Sequence, residues 1–141
     1  MGSINYVSIA LASVTPMIIG FIYYHPKVFG TIWMKSLGLT EEDLQKGNMA
    51  IIFGVSLIMS FLLSFVLLNF NNDVGQEGEF DTFAHGAWHG MFIGVLVATP
   101  VLVTNGLFER KNWKNLLINV GYWLITLATM GGIVDAMNHW G

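Results

Sequence analysis

The sequence predicts an all-α fold: a polytopic four-helix transmembrane bundle with a short interfacial helix between helices 1 and 2. Three observations carry this. The 141 residues are 54% hydrophobic and only 11% charged, against roughly 25% charged in soluble domains, and the mean hydropathy is +0.60. The charges are segregated, with Lys and Arg confined to Lys27, Lys35, Lys46, Arg110, Lys111 and Lys114. Between the charged stretches lie four apolar runs, 4–24, 48–70, 82–105 and 115–137, each near the roughly 20 residues a helix needs to cross a bilayer. One membrane domain over 1–141 accounts for the whole chain.

The first run has no basic residue before it and is longer than the roughly 7–15 residue apolar core of a signal peptide, so it reads as a retained span. Pro16 lies inside it and Pro100 inside the third, where proline is tolerated and is expected to kink the helix. In the connection 25–47, Val28, Phe29, Ile32 and Trp33 recur at helical spacing beside Lys27 and Lys35, the pattern of a helix lying on the membrane surface. Thr40, followed by Glu41, Glu42 and Asp43, reads as a helix N-cap with acids in the first turn.

Orientation follows from the basic residues. The connections 25–47 and 106–114 hold all six, whereas 71–81 holds Asp73, Glu77, Glu79 and Asp81 and no base. Short basic connections stay cytoplasmic. Both termini and the acidic connection are therefore expected outside, in a bacterial inner membrane. Tyr23, Tyr24, Trp33 and Trp113 are expected to form the inner aromatic belt, and Trp88 and Trp140 the outer one. Phe29, Trp33 and Lys35 are echoed by Phe108, Trp113 and Lys114, a pattern common at inner interfaces.

Small residues recur every fourth position: Gly86, Gly90 and Gly94 in span three, Ala128, Gly132 and Ala136 in span four, and Ser56, Ser60 and Ser64 in span two. Lipid gives helices no hydrophobic reason to associate, so close packing along such stripes does it. The glycine ladder is expected to face span four of the same chain, because consecutive helices usually neighbour each other. A rival reading makes these stripes docking faces for partner helices, in a homo-oligomer or with another membrane protein.

Ionisable groups at membrane depth are costly and are functional suspects. His85 and His89 are four apart, on one helix face. Gly131, Asp135 and His139 form a row beside the small stripe of span four. Antiparallel packing would put His85, His89, Asp135 and His139 in one leaflet, a donor set suited to zinc, iron or manganese, with Asp81 at its periphery. No Glu follows His85, so the metalloprotease pattern is absent. Three other readings stand beside a metal site. One is b-type haem held by a span-three histidine and His139, the glycines letting the ring approach the backbone. Another is proton or ion handling by Asp135 and the histidines. The last is plain packing through hydrogen bonds. Cysteine is absent, which excludes thiolate chemistry. A net charge of −3 gives no argument for nucleic acid, and no Ser or Thr has a convincing His/Asp arrangement around it.

Several stretches together resemble the domain-of-unknown-function family 1761, small bacterial membrane proteins. They are Tyr24-His25-Pro26, Phe29-Gly30, Trp33-Met34-Lys35, Leu37-Gly38-Leu39-Thr40-Glu41-Glu42-Asp43-Leu44 and Lys46-Gly47-Asn48-Met49-Ala50, then Phe108-Glu109, Asn119, Gly121-Tyr122-Trp123 and Met130-Gly131. His25 stands where that pattern has serine. The resemblance implies a four-helix membrane fold and supplies no activity, cofactor or catalytic residue.

Overall fold

The computed structural model describes residues 4–71 and 81–137. It is helical throughout, with no strand among the described residues. Helix α1 is Tyr6–Tyr23, α2 Thr31–Ser36, α3 Glu41–Gln45, α4 Met49–Asn71, α5 Phe83–Ile93, α6 Thr99–Phe108 and α7 Trp113–Ala136. A π-helical turn, Gly94–Ala98, joins α5 and α6 into one 26-residue span, Phe83–Phe108. Among the described residues four helices are thus long and apolar enough to cross a membrane, and the protein is a multi-pass membrane protein.

Local chemistry sets the helix ends. Asn5 caps α1, its side chain accepting from the amides of Val7 and Ser8. Thr40 and Asp43 form a reciprocal capping box on α3. The Asp43 carboxyl is held below its ordinary range by the hydrogen bond from Lys46 and by those from Thr40. Asn112 caps α7, accepting from Asn115 N–H at 2.9 Å, and so starts that span at Trp113, two residues before the sequence places it. Span three runs on to Phe108 because no stop precedes Arg110. There φ is 60°, and the Lys111 and Arg110 amides close back on the carbonyls of Gly106 and Leu107, a Schellman turn.

The two prolines act differently. Pro100 follows the π turn, and Thr99 Oγ1 donates to the Gly94 carbonyl at 2.8 Å, a widened turn that accommodates the missing N–H. Pro16 sits within a continuous α1, and its carbonyl accepts from Tyr122 Oη at 2.6 Å.

Helix α7 is central, packing on α1, α4 and α5, while α1 also packs on α4. The interior is inverted relative to a soluble protein. Ser8, Ser13, Thr15, Ser60, Ser64, Asn115 and Thr126 are buried, while Phe21 is 81% and Trp88 68% exposed. Lipid is as apolar as leucine, so burial selects close-packing and hydrogen-bonding side chains. Ser13 and Ser64 meet at 3.2 Å between α1 and α4, and each also donates to a carbonyl one turn back.

The surface helix is present: a π turn, Pro26–Gly30, leads into α2. Gly30 is required there, because a Cβ would overlap the Tyr24 carbonyl. A chain of side chains, Tyr24 to Asn119 to Asn115 to Ser36, ties α2 to α7. Trp113 and Trp88 are exposed; Trp140 lies outside the described residues. Tyr23, Tyr24 and Trp33, read from sequence as belt residues, are buried or half-buried and pack in one cluster with Phe29 and Tyr122. Tyr23 Oη donates to the Ile118 carbonyl at 2.8 Å.

Candidate functional site

The site lies at the end of the bundle that carries the acidic connection, and the glycine ladder of α5 builds it. A Cβ at Gly86 would overlap both the Gly131 carbonyl and Asp135 Cβ, and one at Gly90 would overlap the Leu127 carbonyl. The backbones of α5 and α7 therefore touch, and that contact presses Asp135 against α5. The ladder faces span four of the same chain, as its spacing predicts. Its partner row is chiefly Leu124, Leu127 and Gly131; Ala128 touches it only at Gly90, and Gly132 receives the ring of Phe83. The row lies about 100°, one residue around the helix, from the small stripe, a rotation the sequence does not fix.

Asp135 is fully buried. Its Oδ2 accepts from His85 Nδ1 at 2.9 Å. Its Oδ1 has no hydrogen-bond partner among the described residues. Thr82 caps α5, its hydroxyl accepting from the His85 amide at 3.2 Å. Next along the helix, His89 stands with its ring centroid 4.2 Å from that of His85.

The partner of His89 is a residue the sequence reading passed over. Asn71, the last residue of α4, is buried. Its Nδ2 donates to the Gly131 carbonyl at 3.3 Å, which turns its Oδ1 toward His89 Nδ1 at 2.7 Å. An amide oxygen only accepts, so His89 Nδ1 carries the proton. With Asp135 ionised its carboxylate likewise only accepts, which puts the proton of His85 on Nδ1. Both imidazoles thus have the same tautomer, and in each neutral ring Nε2 bears the lone pair. The available signal for Asn71 was its place among the amides Asn69, Asn71 and Asn72 that end an apolar span, at the depth of His89 in the antiparallel neighbour.

Of the four residues read from sequence as ligands, the structure brings His85, His89 and Asp135 together. His139 lies outside the described residues. Among the described residues no three His, Cys, Asp or Glu side chains gather closely enough to hold a metal ion. Asn5 seals the same end of the bundle, its Nδ2 donating to the Met137 carbonyl at 2.7 Å.

A family model described as protein of unknown function (DUF1761) matches residues 7–134, most of the chain and all of the site up to Gly131. No curated protein matches the chain. No solved structure matches it.

Proposed function

The chain belongs to DUF1761, a family of unknown function, and we propose from its own geometry that it binds a divalent transition metal through Nε2 of His85 and His89. The matched tautomers carry this reading. Metal-binding histidines characteristically donate their other ring N–H to a carboxylate or carbonyl oxygen, which fixes the ring and raises its basicity. Here two imidazoles one turn apart both do so, one to a buried carboxylate and one to an oriented amide. Imidazole pairs suit zinc, copper, iron and nickel.

In this reading Asp135 and Asn71 orient the ligands and are not themselves the first choice of ligand. Water completes the set; His139, four residues beyond Asp135 in sequence, lies outside the described residues. Haem is less well supported, because the glycine faces a flat ring would need are covered by α7. The distribution of the six basic residues supports a bacterial inner-membrane location with both termini and the metal site outside.

The test is titration of zinc or cobalt into untagged, chelator-stripped protein in mild detergent. We expect about one ion per chain, lost in both His85→Ala and His89→Ala. Asn71→Leu, which leaves both ligands in place, should weaken binding by roughly 10–100-fold. Wild-type protein that takes up no metal, or variants that bind it unchanged, would sink the reading and leave the cluster as packing.

A further inference from the structure

At the opposite end of the bundle α4 leaves α1. Every residue from Met49 to Met59 is exposed, although the same helix is buried at Ser60, Ser64, Leu67 and Leu68. The divergence opens a cavity of about 740 Å³ between α1 and α4, with Tyr122 and Trp123 of α7 as its floor and His25 and Pro26 at one end. We infer that this slot holds one acyl chain of an anionic phospholipid from the leaflet bearing the basic connections.

Three observations select that occupant. The first is depth. The slot runs from Pro16 to Tyr24 on α1 and from Ser60 to Ile52 on α4, eight residues or about 12 Å on each helix. One leaflet's hydrocarbon is about 15 Å, half of the core thickness.

The second is the chemistry of the wall. Three of its four hydroxyls, Ser56 being the fourth, are engaged within the protein: Tyr24 Oη donates to Asn119, Tyr122 Oη to the Pro16 carbonyl and Ser60 Oγ to the Ser56 carbonyl. What remains is chiefly apolar surface, which suits a hydrocarbon chain and gives little to a ligand needing hydrogen bonds.

The third is charge at the mouth. His25 Nδ1 accepts from the Lys27 amide at 3.2 Å, so in the neutral ring the donor is Nε2–H. Lys27 has no ion-pair partner among the described residues, whereas Lys46 and Lys111 are paired with Asp43 and Glu109. An imidazole donor and an unneutralised ammonium at the membrane surface complement a phosphate headgroup.

The test is native mass spectrometry of the full chain, released from micelles doped with equal palmitoyl-oleoyl phosphatidylglycerol and phosphatidylcholine. We expect one retained lipid per chain, with phosphatidylglycerol preferred. Lys27→Gln should lower that preference about fivefold, the effect of one lysine near an anionic surface. Ser56→Phe, at an exposed position on the slot wall, should empty the slot without lowering the melting temperature. Val101→Phe, exposed on α6 away from the slot, should leave retention unchanged. Absence of retained lipid, equal retention of the two headgroups, or indifference to Ser56→Phe would each overturn the inference. So would a lipid-free dimer that Ser56→Phe dissociates, since the slot would then be an interface between copies.

Discussion

His85 and Asp135 show how one contact fixes several properties at once. The carboxylate is fully buried and its Oδ2 depends on the imidazole 2.9 Å away. Removing the hydrogen-bond partner of a buried carboxylate leaves its charge uncompensated, at about 3–5 kcal/mol, whereas replacing both groups by apolar side chains is often nearly neutral. In metal-free protein, His85→Ala should therefore cost about that much stability. The double variant His85→Leu/Asp135→Leu should recover most of it. Denaturant unfolding in detergent micelles checks both; a double variant whose loss is the sum of the single losses would show that the two groups are not coupled. The pair was half legible in sequence. Both residues stood out as ionisable groups in apolar runs, but Asn71 did not, because an amide at a helix end is ordinarily a solvated cap.

At the scale of elements, α5 and α7 are the pair that positions the site, and the closeness of their backbones is what a Cβ would destroy. A Cβ at Gly90 has the Leu127 carbonyl in its place, whereas one at Gly54 meets nothing within 4 Å. Gly90→Ala should force the helices apart at a cost of at least about 1–3 kcal/mol and weaken metal binding by moving His85 from Asp135. Gly54→Ala should leave both unchanged. Melting curves and metal titration of the two variants make the comparison; equal behaviour would mean that α5 does not depend on the ladder for its seat. The four-residue period of glycine was visible in the sequence. The opposing row was not, because Ala128, Gly132 and Ala136 looked more permissive by size than Leu124, Leu127 and Gly131. The choice went instead to Gly131, whose missing side chain meets Gly86, while Phe83 covers Gly132.

For the whole molecule, the two ends differ in kind. The end with the acidic connection is closed by Asn5, Asn71 and Asp135, and the end with the basic connections is splayed around the slot between α1 and α4. Their assignment to the two sides of the membrane rests on the six basic residues. The chain has no cysteine, so single reporters can be placed cleanly. A membrane-impermeant maleimide should label Ala84→Cys in intact spheroplasts and Glu42→Cys only after permeabilisation; both positions are exposed. The reverse pattern would invert the orientation and put the proposed metal site in the cytoplasm.

The sequence by itself determined the number of spans, their lengths to within a few residues, the capped start of α3, the presence of the surface helix, and the glycine period. These are local matters: apolar length is set by bilayer thickness, and caps by side chains within three or four residues. Tertiary structure alone decided the rotations. It packed Tyr23, Tyr24 and Trp33 into one cluster, put Asn71 on His89, brought Asp135 against α5, and opened the slot beside α4. In water an amphipathic stripe announces which face of a helix is buried. In lipid every face can be apolar, so which face turns inward is settled by close packing and hydrogen bonding between helices, and those exist only once the helices have met.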